Sequence, residues 1–278
     1  MSGDLVKQRI GFLGGGAMAQ ALATGLVRAG VPAPQILASD PEPARRDALA
    51  QSPGIRAVGD NAEVVEASDV VVLAVKPGVV GPALRSLERL PADARRRPLW
   101  VSIAAGVPLS LLEDSLAGGA RIVRAMPNTP ALVGAGATAI VANPTAGEAD
   151  RRLARALFES VGIVWESPSE DLLDAVTGLS GSGPAYVCVF LEALADAGVR
   201  MGLPREAAYA LSVQTVLGTA RLALETGRHP AALKDQVTSP GGTTIAGLER
   251  LEAGGFRAAV HAAVAAATER SRELGKRR

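Results

Sequence analysis

The chain of 278 residues is poor in cysteine, histidine and aromatic side chains. It has one cysteine, Cys188, and two histidines, His229 and His261, and aromatic residues make up 3% of it. A single cysteine cannot form an intrachain disulfide, and with two histidines beside it a His/Cys metal cluster is not expected. The hydrophobic fraction of 48% is that of a globular protein. Because aromatic residues are so few, its core must consist mainly of Ala, Val and Leu.

An excess of one charge and long apolar runs are also missing. The 29 basic side chains nearly balance the 28 acidic ones, which argues against a protein that binds nucleic acid electrostatically. No apolar run reaches the roughly 20 residues that cross a bilayer, and no secretory signal is expected ahead of the first strand. We therefore expect no nucleic-acid or membrane partner and a reducing, cytoplasmic location.

The apolar pattern changes character along the chain. Up to about residue 165, runs suited to buried parallel strands alternate with amphipathic helices, which is typical of a doubly wound α/β sheet. After Pro168 only helices are predicted. The sequence thus predicts an α/β domain at 1–167 and an all-α domain at 168–278. The predicted strands are 10–13, 36–39, 70–75, 99–103, 122–125, 138–141 and 163–165, and the predicted later helices are 171–177, 183–201, 204–226, 231–237, 243–253 and 256–274.

The helices of the second domain are rich in Ala and Leu over long stretches. One small domain cannot readily bury so many apolar stripes on its own. Pairing with a second copy of the chain is the simplest way to cover them. The sequence therefore predicts at least a homodimer.

The segment Arg9 to Leu22 has the pattern of a strand, a glycine turn and a helix. Its core, Gly14-x-Gly16-x-x-Ala19, is the dinucleotide fingerprint with alanine in the third position. Gly14 permits the tight turn, Gly16 lets the pyrophosphate touch the backbone, and Ala19 keeps the helix close to the strand. A merely glycine-rich turn is the alternative, but the second strand that follows the helix favours dinucleotide binding.

Further candidates fall where predicted strands end, the edge at which open parallel sheets bind ligands. Lys76 follows the third predicted strand and either overlooks that crevice or is a solvated strand end. Asp40 ends the second strand, where an acid accepts both ribose hydroxyls and disfavours a 2′-phosphate, which points to NADH. Arg45 and Arg46 could instead pair with that phosphate, and Asp40 could merely cap the helix begun at Pro41, so the choice between NADH and NADPH stays open.

A second loop rich in glycine and hydroxyl groups lies near the other end of the chain, at Ser239-Pro240-Gly241-Gly242-Thr243-Thr244. Its glycines let a ligand approach the backbone, and the first turn of the following helix has amides without intrahelical partners. Such a loop suits a small anion. An ordinary helix N-cap with a Ser-Pro-Gly turn is the alternative.

Together these motifs resemble those of the pyrroline-5-carboxylate reductase family over nearly the whole length. The residues that carry the resemblance are Gly11 to Met18, Ala74 to Pro77, Arg124 to Pro130, Ala175 to Tyr186, Met201 to Pro204, and Leu233 to Gln236 running into the loop at 239–244. The resemblance implies a nicotinamide-dependent reduction of L-1-pyrroline-5-carboxylate to L-proline. It also implies a Rossmann domain followed by a helical dimerisation domain, with dimers that often assemble into a ring of five.

The resemblance also implies which residues surround the ligands. Asp40 takes the family position near the adenosine ribose, where many relatives have a small hydroxylic residue, and Glu170 takes a position near the substrate but could equally be a first-turn acid of its helix. The residues implied at the NAD(P)H site are Leu13, Gly14, Gly15, Gly16, Ala17, Met18, Asp40, Asn61, Ala74, Val75, Lys76, Pro77, Ile103, Ala104, Ala105 and Gln236. Those implied at the substrate site are Glu170, Ser239, Gly241, Gly242, Thr243 and Thr244.

The expected chemistry follows from the substrate, which carries a carboxylate and an imine. Amides near Gly242 and Thr243, with hydroxyl help from Ser239 and Thr243, suit the carboxylate. Thr244 matches the family threonine near the imine nitrogen, but a hydroxyl is a poor acid, so we expect the iminium proton to come from solvent or with the substrate and Thr244 to orient and relay it. A dehydrogenase of the hydroxyacid type, with Lys234 as its acid, and a dinucleotide-binding regulator without turnover are the rival hypotheses.

Overall fold

The computed structural model describes residues 4–116 and 118–276, and an eight-stranded sheet is its main feature. The strands lie in the order β3-β2-β1-β4-β5-β6-β7-β8. They are β1 (Ile10–Leu13), β2 (Ile36–Ser39), β3 (Arg56–Val58), β4 (Val70–Leu73), β5 (Leu99–Ser102), β6 (Arg121–Met126), β7 (Gly136–Ala142) and β8 (Gly162–Glu166).

The first six strands are parallel, whereas β7 runs antiparallel to β6 and pairs in parallel with β8. Successive residues of the central strands alternate between two buried layers: Phe12 and Val72 pack into one, and Leu13 and Leu73 pack into the other. Both faces are therefore covered, as the uninterrupted apolar runs predict.

The helices of the chain follow the predicted pattern of alternation and then of helices alone. Those up to the π-helical turn at Thr177–Gly181 are α1 (Ala17–Arg28), α2 (Pro43–Gln51), α3 (Asn61–Ala67), α4 (Val80–Arg85), α5 (Ala92–Arg96), α6 (Leu109–Ser115), α7 (Glu148–Glu159) and α8 (Leu172–Val176). The later ones are α9 (Gly183–Arg200), α10 (Arg205–Thr226), α11 (Pro230–Gln236), α12 (Thr243–Ala253) and α13 (Phe256–Lys276). Short 3-10 turns lie at Leu5–Lys7, Ala33–Gln35, Pro77–Val79 and Thr129–Val133.

The described residues form two compact units. Those up to Ser182 and those from Ala266 onwards make the sheet unit, and Gly183–Ala265 make the helical unit. The division falls later than residue 167 because Leu173 of α8 is buried in the core of the sheet unit. The C-terminal part of α13 also belongs to the sheet unit, where the hydroxyl of Ser271 donates to Asp174 Oδ1 at 2.6 Å.

The helical unit leaves many large apolar side chains exposed. Leu224 is 79% exposed, and Tyr209, Leu211 and Leu217 on the same helix, α10, are each more than half exposed. Soluble chains rarely leave such a surface uncovered, so this unit needs a partner surface.

The architecture confirms the predicted α/β domain followed by helices, with two local differences. Strand β3 was not predicted, because three residues with one exposed arginine give no apolar run. The prediction of parallel strands was wrong for the pairing of β6 with β7, because a short connection through the 3-10 turn Thr129–Val133 turns the chain back instead of crossing over.

Candidate functional site

The carboxyl ends of β1, β2, β4 and β5 meet at one edge of the sheet unit. β2 lies on one side of β1 and β4 on the other, so the order in which successive strands are added to the sheet reverses at β1. Backbone bonds tie the strand ends together: Gly14 N–H donates to Ser39 O at 2.8 Å, and Ala74 N–H donates to Leu13 O at 2.8 Å. Such a switch point is where open α/β sheets bind ligands.

The glycine loop follows β1 at this switch point. Gly14 has φ of +103°, and a Cβ there would lie 2.9 Å from the carbonyl oxygen of Ala74. At Gly16, by contrast, a Cβ would meet no described atom within 4 Å, so the space in front of its backbone is open. Gly16 precedes the first turn of α1, whose residues Ala17 and Met18 have amides without intrahelical partners. The loop therefore has the room and the donors that a pyrophosphate needs.

Asp40 is nearly buried at the end of β2, with 3% of its surface exposed. Its Oδ2 accepts from Gly15 N–H at 2.8 Å and its Oδ1 accepts from Glu42 N–H at 2.9 Å. Arg45 Nη1 lies 3.5 Å from Oδ2 and Arg45 Nε 2.9 Å from a carboxylate oxygen of Glu42. Arg46 donates to the backbone oxygens of Asp40 and Pro41 at 2.8 and 3.0 Å. The carboxylate thus lies inside the glycine loop.

Asn61 lies beside the end of β2 as the first residue of α3. Its Oδ1 accepts from the Ser39 hydroxyl at 2.7 Å, and its Nδ2 donates to Ser86 Oγ at 3.0 Å. Asp60, the residue before it, caps the helix by accepting from Ala62 N–H. This hydrogen bond, with help from Arg89, holds the pKa of the Asp60 carboxyl below its usual value. An ordered helix start therefore fixes Asn61.

The other predicted cofactor residues of the sheet unit lie at the same edge. Ala74 and Val75 contact the glycine loop, since a Cβ on Gly14 would lie 3.0 Å from Val75 Cγ1. Lys76 is exposed ahead of the 3-10 turn Pro77–Val79. Ile103, Ala104 and Ala105 follow β5, and Ile103 N–H donates to Leu73 O at 3.2 Å. The residues present thus fit a bound dinucleotide.

Two contributors at this edge were not predicted. The Gln20 amide donates to Gly15 O at 3.2 Å, and the Ser39 hydroxyl holds Asn61. Ser39 could have been found, because it is a hydroxyl at the carboxyl end of a predicted buried strand. Gln20 gives no such signal, since a polar residue in the first turns of a helix is common.

The loop rich in hydroxyl groups belongs to the helical unit and joins α11 to α12. Gly241 has φ of +67°, and Gly242 N–H donates to Ser239 O at 3.1 Å, which closes a turn before Thr243 begins α12. Among the described residues, no side chain caps α12 and none of its first-turn residues is acidic. The amides of this first turn are therefore open to an anion.

The side chains of this loop differ in exposure. Ser239 and Thr243 are exposed, whereas Thr244 is half-buried. A cavity of about 500 Å³ lies beside the loop, lined by Lys234, Gly241, Gly242, Ile245 and Ala246 among others. Gln236, the last residue of α11, is exposed in this same unit and not in the unit that holds the other predicted cofactor residues.

Glu170 belongs to the sheet unit, whereas the loop at 239–244 belongs to the helical unit. Its Oε1 accepts from the amide of Leu109, the first residue of α6, at 2.8 Å and from Arg124 Nη1 at 2.6 Å. Arg124 is 10% exposed and Glu170 29%. The carboxylate is therefore engaged by a helix start and a nearly buried guanidinium.

The two histidines and Lys234 have simple surroundings. His229 Nδ1 accepts from Ala231 N–H at 3.2 Å, which is an N-cap on α11, and His261 is exposed on α13. Lys234 Nζ lies 3.2 Å from its neighbour Asp235. Across the described ranges, no cluster of three His, Cys, Asp or Glu side chains could hold a metal, and no helix has the length and hydropathy to span a membrane.

Comparison with known proteins places both halves of the chain. Residues 170–274 match the family model described as pyrroline-5-carboxylate reductase dimerisation, so the exposed apolar helices belong to a dimerisation domain. Residues 9–106 match the model described as NADP oxidoreductase, coenzyme F420-dependent. The sheet unit is thus that of a nicotinamide-dependent oxidoreductase, as predicted.

Full-length relatives carry one name. The pyrroline-5-carboxylate reductase of Synechocystis sp. is 52% identical over 97% of this chain and 99% of its own, and that of Methanosarcina acetivorans is 48% identical over 98% and 99%. The solved pyrroline-5-carboxylate reductase of Coxiella burnetii is 40% identical, with a TM-score of 0.90 over 96% of this chain and 98% of its own. The Plasmodium falciparum enzyme, solved with NADP bound, is 34% identical, with a TM-score of 0.85 over 97% and 98%. This chain therefore belongs to the pyrroline-5-carboxylate reductase family.

Proposed function

We propose that the protein reduces the ring C=N bond of L-1-pyrroline-5-carboxylate with NAD(P)H to give L-proline, the last step of proline biosynthesis. The observation that carries the proposal is the open first turn of α12 after the Ser239–Gly242 turn, which suits the carboxylate of a small cyclic amino acid. Membership of the pyrroline-5-carboxylate reductase family and a glycine loop with room for a pyrophosphate support the same reaction.

The sheet unit holds the cofactor. The backbone at Gly16 and the first turn of α1 bind the pyrophosphate, and Asp40 and Asn61 lie where the adenosine ribose is expected. Ala74 to Pro77 and Ile103 to Ala105 line the adjoining strand ends. When bound, the reduced nicotinamide supplies the hydride.

The helical unit anchors the substrate. The amide of Thr243 and the next amides of the first turn of α12 bind the carboxylate, and the hydroxyls of Ser239 and Thr243 add hydrogen bonds, so that the ring is held in one orientation. Thr244, which is half-buried, hydrogen-bonds the ring nitrogen.

The imine must be protonated before its carbon accepts a hydride. The described residues of the loop offer hydroxyl groups and amides but no carboxylic acid or imidazole, so Thr244 orients and relays a proton that comes from solvent or with the substrate. Its hydroxyl accepts from the iminium N–H in the reactive state and so favours the charged form.

The dimerisation domain makes the active species at least a homodimer, and we extend the proposal to a ring of five dimers in the cytoplasm. The uncovered apolar side chains of α10 support self-association, and the exposed thiol of Cys188 suits a reducing compartment. Residues 1–167 are the cofactor-binding domain and 168–278 the dimerisation and substrate domain in this proposal. The mass of the purified protein by light scattering tests the assembly.

Steady-state kinetics test the reaction itself. Purified protein mixed with pyrroline-5-carboxylate and NADH, and separately NADPH, should consume the reduced nicotinamide and release L-proline in equal amounts. A 2-hydroxy acid offered with the oxidised cofactor is the matched control for a hydroxyacid dehydrogenase. Turnover of that acid without any reduction of the imine would reject the proposal.

A further inference from the structure

We infer that Asp40 makes this chain select NADH over NADPH, an inference that rests on the proposed cofactor site. The carboxylate is fixed inside the glycine loop by Gly15 N–H and by Glu42 N–H, at 2.8 and 2.9 Å. It cannot turn away to solvent without breaking both bonds, and only 3% of its surface is exposed. The carboxylate is therefore held in one place at the ribose end of the proposed site.

The carboxylate still has capacity to accept hydrogen bonds. Each ionised oxygen has two lone pairs and accepts one backbone N–H, and Arg45 Nη1 also lies 3.5 Å from Oδ2, so Oδ1 is the oxygen that keeps a lone pair for a ligand. The hydroxyls of an unmodified adenosine ribose are donors that match this capacity. A 2′-phosphate has only acceptor oxygens and carries negative charge, so it meets the carboxylate with repulsion.

The two arginines nearby do not reverse this charge. Arg45 is shared between Asp40 and Glu42, at 3.5 and 2.9 Å, and is half exposed to solvent. Arg46 Nη1 is held by the backbone oxygens of Asp40 and Pro41. Both guanidinium groups are therefore already oriented towards groups around Asp40 by existing contacts.

The relative from Plasmodium falciparum was solved with NADP bound. That relative therefore accommodates a 2′-phosphate, whereas we expect Asp40 to disfavour one in this chain. At an effective dielectric suited to a partly buried site, the repulsion corresponds to a discrimination of at least about tenfold in Kd.

Calorimetric titration with NADH and with NADPH tests the inference without turnover. Wild type should bind NADH at least about tenfold more tightly, and Asp40→Ser should narrow the ratio of the two Kd values by at least about tenfold. Asp47→Asn removes an exposed acid from α2 and should leave the ratio within about twofold, since solvent screens its charge. Equal Kd values for the two cofactors in wild type, or tighter NADPH, would overturn the inference.

A second variant covers the case in which Asp40→Ser does not fold. Arg45→Ala should leave NADPH binding within about twofold, whereas a loss of tenfold or more would show that Arg45 binds the phosphate and would contradict the inference. Failure to reduce pyrroline-5-carboxylate with either cofactor would reject the proposed function but not the selectivity, because the Kd ratio is measured without substrate.

Discussion

Replacing Glu170 by Gln separates a structural role of this carboxylate from a substrate-binding one. The change removes the charge that faces Arg124 and keeps an oxygen that can accept from Leu109 N–H. Arg124, 10% exposed, then stays nearly buried without a carboxylate partner. We expect a loss of stability and little change in the KM for pyrroline-5-carboxylate.

The magnitude follows from the geometry of the pair. At about 4 Å between charge centres and an effective dielectric of about 20, the attraction is about 4 kcal/mol, and desolvation offsets part of it. A hydrogen bond to a charged group contributes about 1.5–3 kcal/mol net. Because Glu170 is 29% exposed, we expect Glu170→Gln to lower the free energy of unfolding by about 2 kcal/mol. A loss of this size lowers Tm by roughly 4–8 °C for a chain of this length.

Thermal unfolding at one fixed protein concentration measures the shift, because the stability of an oligomer depends on concentration. Glu166→Gln is the matched control: Glu166 is 40% exposed and pairs with Arg151 and Arg155 at 3.3 and 3.9 Å. We expect the control to change stability by less than about 0.5 kcal/mol. An unchanged Tm in Glu170→Gln together with a KM raised tenfold or more would refute the structural reasoning and assign the carboxylate to the substrate.

Three further predictions concern proton handling and charge. Thr244→Ala should lower kcat roughly 10²-fold, as for a lost positioned proton-handling group, while Thr244→Ser should be milder because it keeps the hydroxyl. His229→Ala should cost about 0.5–1 kcal/mol of stability through the lost N-cap, and both it and His261→Ala should retain turnover. The hydrogen bonds and charge of Arg9 lower the pKa of Asp69, so this carboxylate contributes stability above the unfolded pKa of about 4 that is lost as pH falls through the folded value. Asp69→Asn should therefore flatten the pH dependence of the unfolding free energy below about pH 4.

Each of these predictions has an outcome that contradicts it. Full activity of Thr244→Ala would remove the threonine from the mechanism. Loss of turnover in either histidine variant, with the fold intact by circular dichroism, would mean that an imidazole supplies the proton. An acid limb of the stability curve that is the same in Asp69→Asn as in wild type would show that other carboxyls control it.

Most of the fold could be predicted from periodicity. The strand ranges of β1 and β2 and the helix range of α12 agree with the structure residue for residue, because each is an apolar pattern that ends at a glycine or a charged residue. The direction of β7 could not be predicted, since an apolar run of a buried strand is the same in parallel and antiparallel pairs. β3, with three residues, is too short to show the alternation of apolar and polar residues that predicts a strand.

The cofactor edge was also predictable, because strand ends in a parallel sheet meet at one side wherever the intervening helices lie. The contacts of Glu170 were not, because its partners Arg124 and Leu109 are 46 and 61 residues away along the chain. Local pattern carries no information on such pairing. The commitment of Arg45 and Arg46 to the acid and carbonyl groups around Asp40 likewise required coordinates.

A crystal of the protein soaked with L-proline tests the central claim most directly. The account predicts proline bound at the turn between α11 and α12, with its carboxylate on the amides of the first turn of α12, from Thr243 onwards, and its ring nitrogen within hydrogen-bond distance of the Thr244 hydroxyl. Proline bound elsewhere, with that turn empty at saturating concentration, would contradict it.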